Sequence, residues 1–144
     1  MILILDYQAI TADVISCEAS SEFDSTFSCI RAFDGRLVSP GWAANGQQEP
    51  IIGAWIKAIF QEPSVISRII IVQRPSLNEQ TKQVKITAED GTSEIALLPN
   101  QGQSEPNHVI LKKPMLTSSI KIEITAAYTE INNGFNEIYF IVQV

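Results

Sequence analysis

Residues 119–124 read SIKIEI, and the fold follows from that alternation. Ile120, Ile122 and Ile124 fall on one side of an extended chain and Lys121 and Glu123 on the other, the period of two that turns apolar atoms to a core and charges to water. That is a half-exposed antiparallel strand. Working outward, similar apolar runs recur at AWIKAIF (54–60), SRIIIV (67–72), QVKIT (83–87), EIALL (94–98), HVIL (108–111) and EIYFIVQV (137–144). In the last run Ile138, Phe140 and Val142 share one face while Tyr139 and Ile141 take the other, so both faces are apolar and the strand belongs inside a sheet. Seven short strands in so little chain predict a β-sandwich or barrel.

Turn residues separate the runs. Asp34-Gly35, Asn45-Gly46, Asp90-Gly91, the stretch 100–102 and the stretch 132–134 supply side chains that tolerate positive φ. Glu89-Asp90-Gly91, between QVKIT and EIALL, predicts a hairpin. No stretch shows sustained helical periodicity, and there is no repeat, low-complexity tract or linker that would divide the chain. MILIL (1–5) is too short to span a membrane or to form a complete signal peptide and reads as a first strand, although a piece cut from a longer secreted precursor would begin in the same way.

Composition agrees. The chain has 22 Ile and 8 Val against 8 Leu and 2 Met, and stiff β-branched side chains suit pleated surfaces. Its 144 residues predict a single domain over 1–144, with 45% hydrophobic residues to build one core. Ten basic against sixteen acidic side chains give a net charge of -6, which argues against nucleic acid and against an anionic membrane, both of which call for a clustered basic footprint.

Catalytic endowment is sparse. The one histidine, His108, stands in the polar stretch SEPNHVIL with no nucleophile or second base placed near it, no spacing singles out a carboxylate pair, and the glycine-rich phosphate loops are missing. The chain reads as a non-enzyme. Cys17 and Cys29 cannot complete a four-ligand zinc site between them. They are either a disulfide, which a secreted chain would favour, or two small buried thiols.

An ordered series of segments carries a resemblance. ASSEF (19–23), RAFDG (31–35), GWAANG (41–46), GAWIKAIF (53–60), PSVISRIIIVQRP (63–75), QVKIT, the Asp-Gly hairpin and NNGFNEIYF (132–140) fall in the order and spacing of the discoidin, or coagulation factor 5/8 type C, domain. The chain is also similar to carbohydrate-binding modules of family 32, in the same galactose-binding-like superfamily. The resemblance covers nearly the whole length and implies an all-β antiparallel jelly-roll sandwich, displayed outside the cell as a module of a larger protein. Trp42 and Trp55, each beside an apolar run, read as core.

In that family the loop corresponding to AFDG commonly holds a structural calcium ion. The resemblance implies as ligands the Asp34 carboxylate, main-chain oxygens at Arg31 and Arg36, Ser39 and Glu137, a hard-oxygen set of the kind calcium takes. Two features depart from the family pattern: Arg36 stands where Asp or Asn is frequent, and the stretch from Ser39 to Trp42 is one residue longer. Without calcium, Asp34 would cap a tight turn and Glu137 would bond main-chain amides.

The ligand surface implied by the resemblance is formed by loops at one end of the sandwich: 21–27, 43–49, 74–80 and 128–133. They mix amides, hydroxyls and carboxylates with scattered aromatics, groups that bond sugar hydroxyls and stack on sugar faces. Glu22, Phe23, Asn45, Arg74, Tyr128 and Asn133 are the expected ligand residues, and Arg74, at the end of a strand, has a better claim than Arg68 within it. The implied function is a sugar-binding or cell-surface adhesion module acting on a glycan or glycoprotein. The alternatives are a protein-binding module, or a lipid-docking module with Phe23, Phe27 and Leu77 as spikes, which Glu22 and Asp24 oppose.

Overall fold

The structure is a computed structural model that describes residues 10–36, 40–101 and 105–143. Its strands are β1 (Val14–Ala19), β2 (Trp42–Ala43), β3 (Trp55–Gln73), β4 (Thr81–Ala88), β5 (Ser93–Leu97), β6 (Pro106–Ala127) and β7 (Gly134–Val142). All pairings are antiparallel, in the order β2-β7-β3-β6-β4-β5, with β1 added to β3.

Two strands are far longer than the sequence suggests. AWIKAIF and SRIIIV are the two halves of β3, and HVIL and SIKIEI the two halves of β6. β3 and β6 pair along their lengths as one ribbon, interrupted where the register jumps from Ile59↔Ser119 to Ser64↔Thr117. Pro63 and Pro114 lie at or near this fold-back, where a missing amide donor costs no ladder bond. The ribbon doubles over there. Its first half pairs β1 with β3 at 56–60 and β4 with β6 at 120–127; its second half pairs β7 with β3 at 66–73. The result is the expected two-layer sandwich.

Ile56, Ala58 and Phe60 of one layer meet Ile69, Ile71, Ile138 and Phe140 of the other in the core, with Ile120, Ile122 and Ile124 beside them as SIKIEI predicts. Phe60 and Phe140 meet edge to face at 5.0 Å. β7 lies between β2 and β3, the interior place its two apolar faces require. The hairpin forms at Gly91, φ 91°, with the Asp90 carboxylate accepting the Thr92 amide. The Met1–Leu5 strand lies outside the described residues. β1 and β2 carry no clear sequence signal, being short edge pieces stabilised by partners far along the chain.

Trp42 is fully buried against Phe135, as expected, but Trp55 is not core. It is in phase with Lys57 and Ile59, on the outer face, because Ile56, Ala58 and Phe60 take the inner one. Lys121 covers its ring at 5.5 Å. No helix among the described residues is long and apolar enough to cross a membrane.

Candidate functional site

The doubled ribbon brings the ends of β1, β3 and β6 and the starts of β4 and β7 to one end of the sandwich, so the loops 20–27, 43–54, 74–80, 98–101 and 128–133 gather there. Backbone bonds lock these loops to one another: Phe23 donates to the Ala43 carbonyl, Ala44 to that of Asn133 and Tyr128 to that of Gln80. The Trp42 indole nitrogen donates to the Ser21 carbonyl at 2.9 Å, tying the core to the rim. Cys17 of β1 and Cys29 are joined as a disulfide, which fastens the 21–27 loop from below.

At the rim Phe23, 42% exposed, stands edge-on to Phe27 at 5.7 Å. The Arg74 guanidinium lies 4.9 Å from the Phe27 ring centre, bonded to the Pro40 carbonyl and to Glu79, each at 3.4 Å. Phe23, Asn45 and Arg74 are thus brought into one neighbourhood. Arg74 differs from the expectation of an open rim cation: it is 8% exposed, and its Nε is buried with no acceptor among the described residues.

The other expected ligand residues have structural partners. Asn45 turns its own loop, its side-chain oxygen accepting the Gln47 and Gln48 amides and its amide donating to the Phe23 carbonyl at 3.4 Å. Glu22 accepts the Cys29 amide at 2.7 Å. Tyr128 donates its hydroxyl to the Leu98 carbonyl, leaving its ring, 39% exposed, beside Lys82. Asn133 is a correction: it is fully buried, donating to the Gln80 and Thr129 carbonyls and accepting the Ile131 amide, so it shapes the loop and offers no surface to a ligand.

Gln80 is the hub that no local signal discloses. Fully buried, its side chain donates to the carbonyls of Arg74 and Gln101 and accepts from Asn100 and the Gln101 amide, while its own carbonyl accepts from Asn133, joining three loops. A satisfied buried amide of this kind fixes one loop arrangement. In a polar loop sequence Gln80 is indistinguishable from a solvated glutamine, and Glu79 is equally silent.

Beside these loops the turn 33–36 folds onto β7. Glu137, fully buried, accepts the amides of Gly35 and Arg36 at 3.3 Å each, and its carboxyl meets that of Asp34. Burial, then the Asp34 carboxylate, pushes Glu137 up to about 9. Asp34 itself accepts the Arg36 amide at 3.0 Å. Of the expected metal ligands the structure therefore joins Asp34 and Glu137 directly, with Arg36 on the same turn and Arg31 in the short 3-10 helix (Cys29–Ala32) before it, while Ser39 lies outside the described residues. The described residues contain no cluster of three or more acidic, histidine or cysteine side chains suited to a metal, so main-chain oxygens would have to complete a coordination shell. A cleft of about 440 Å³ opens alongside, lined by Asp13, Phe33, Asp34 and Tyr139.

Comparison with solved structures shows the same fold. The chain superposes on the family 32 carbohydrate-binding module of Clostridium perfringens NanJ, solved in complex with galactose, with a TM-score of 0.74 at 16% identity, over 92% of this chain and 99% of that one. The F5/8 type C domain of a Bacteroides fragilis protein gives a TM-score of 0.71 at 13% identity, over 93% and 99%. A pectin-binding carbohydrate-binding module gives 0.68 at 19% identity, over 90% and 91%. None of the curated proteins matches the sequence. The model of one sequence family matches residues 9–141, and the chain belongs to that family, described as "Domain of unknown function (DUF7402)".

Proposed function

We propose that this chain is a non-catalytic carbohydrate-binding module, or a cell-surface adhesion module of the same kind, that takes a neutral glycan on its end loops. The observation that carries the reading is the rim formed by Phe23, Phe27 and Arg74. An exposed aromatic edge for a sugar's apolar face stands beside a buried guanidinium whose Nε has no protein acceptor among the described residues. Its partner Glu79, with a side chain 22% exposed, is the polar group there that a sugar hydroxyl can reach. The galactose carried by the NanJ module supports a neutral sugar, and the pectin bound by another structural neighbour supports a carbohydrate ligand more broadly. The disulfide supports an oxidising, extracellular setting, where the chain would serve as one module of a larger protein.

Calcium belongs to the same proposal as a structural ion. Asp34 and Glu137 fit a hard cation, since the exposed Asp34 carboxylate stands against the buried Glu137 carboxyl, which would give up its proton to the ion. The carbonyls of Arg31 and Arg36 and the side chain or carbonyl of Ser39 are the remaining candidates. The ion would hold the 33–36 turn against β7.

Titration of wild type and Phe23→Ala with galactose and a glycan array, with and without a chelator, tests the reading. Binding that falls at least several-fold in the variant supports it. Binding only to anionic vesicles, with no glycan bound, would replace it with the lipid-docking reading; binding to neither a glycan nor a vesicle would leave a protein partner as the ligand.

A further inference from the structure

The outer face of the first sheet holds a feature remote from the end loops. In the β3–β6 register Lys57 stands directly opposite Lys121. Like charges directly opposed in a sheet destabilise it unless something neutralises them. Neither lysine closes an ion pair among the described residues, although Glu18 of β1 stands opposite Lys57 on its other side. Lys121 is held in place by the Trp55 ring, 5.5 Å from its ammonium. Thr87 of β4, opposite Lys121, extends the row on its other side.

These groups surround a depression of about 160 Å³ lined by Lys57, Thr87, Ala88, Glu89, Ser119 and Lys121. At roughly 30 Å³ per water it has room for a small polar group with its hydration. Lys57, Lys121, Thr87 and Ser119 border it with side chains that can donate hydrogen bonds. Its acidic border limits the occupant: Glu89, held by the Ser118 hydroxyl, lines the depression, Glu18 faces Lys57 across β1, and Glu123 follows Lys121 on its own strand. A polymer dense in charge would meet those carboxylates, whereas one isolated carboxylate fits between the two lysines.

We infer that the Lys57–Lys121 pair is a second binding site, which takes the carboxylate of a uronic acid residue in a glycan. The site is independent of the loop rim. It lies in the half of the sheet nearer the β4–β5 hairpin, so a chain could occupy it whether or not the loops hold a sugar.

Calorimetric titration with trigalacturonate and with its fully methyl-esterified form tests the inference, using wild type, Lys57→Gln, Lys121→Gln and Phe23→Ala. The acid should bind wild type about three- to tenfold more tightly than the ester, the scale of one exposed charge-assisted contact. Either lysine variant should erase that difference, and Phe23→Ala should leave it in place, which separates failure here from failure of the loop reading. Equal binding of acid and ester by wild type, an unchanged preference in both lysine variants, or tighter binding of heparin than of trigalacturonate would overturn the assignment.

Discussion

Glu137 and Asp34, 103 positions apart in the chain, press their carboxyls together where β7 meets the turn after the first loops, and Glu137 also receives the amides of Gly35 and Arg36. Whatever neutralises this pair determines how firmly the turn is held.

Stability in the absence of divalent cations should fall as pH rises. The Glu137 carboxyl is raised from its ordinary 4.5 to about 9 by burial and by Asp34. A proton held more tightly by the native state than by the unfolded chain stabilises fully below the unfolded value, and the contribution is lost between about 4.5 and 9. Melting temperatures measured in chelator across that window should decline, and Glu137→Gln should flatten the decline. An equal slope in the variant would contradict this account.

Millimolar calcium should raise the melting temperature, more strongly toward pH 8 than pH 5, because the ion competes with the proton on Glu137. Asp34→Ala should remove the shift. Scanning calorimetry with and without chelator decides the matter, and a wild type indifferent to calcium would exclude the structural ion.

Removing the Cys17–Cys29 disulfide should destabilise the chain by about 3 kcal/mol on the loop-entropy relation for a crosslink of this span. Denaturant titration of Cys17→Ser/Cys29→Ser gives the value. The loss should loosen the 21–27 loop and weaken glycan binding along with stability.

Gly134→Ala should be among the most damaging single changes. A β-carbon there would lie 1.9 Å from the Trp42 carbonyl oxygen, at the β2–β7 pairing, where backbone must move to make room. A cost of about 2–4 kcal/mol follows for strain of this kind. Chemical denaturation checks it.

Phe23→Ala and Arg74→Ala should separate binding from stability. Phe23 is exposed enough that its loss should change stability by about 0.5 kcal/mol or less while reducing glycan affinity. Arg74 is buried beneath Phe27 and tied to Pro40 and Glu79, so its loss should cost about 1–3 kcal/mol as well. Similar unfolding free energies for the two variants would refute the distinction.

How much of this was legible in the chain differs from residue to residue. SIKIEI placed Ile120, Ile122 and Ile124 in the core, because a period of two is a local property of an extended backbone. Glu89-Asp90-Gly91 marked its hairpin for the same local reason. The segment order from RAFDG to GFNEI carried the family likeness and, with it, the sandwich. Local pattern could not show that AWIKAIF continues into SRIIIV as one strand, since the polar stretch between them looks like a loop until a partner strand is paired along it.

At the site the division has the same cause. Sequence by itself determined that the loops would be polar with scattered aromatics and that the chain would be mildly acidic. Only the tertiary structure decided that Asn133 is buried, that Arg74 lies under Phe27, that Gln80 joins three loops, and that Lys57 faces Lys121. Those facts depend on which strands become neighbours across 20 to 100 residues, and burial and charge opposition are properties of such neighbours, to which a periodicity within one segment is blind.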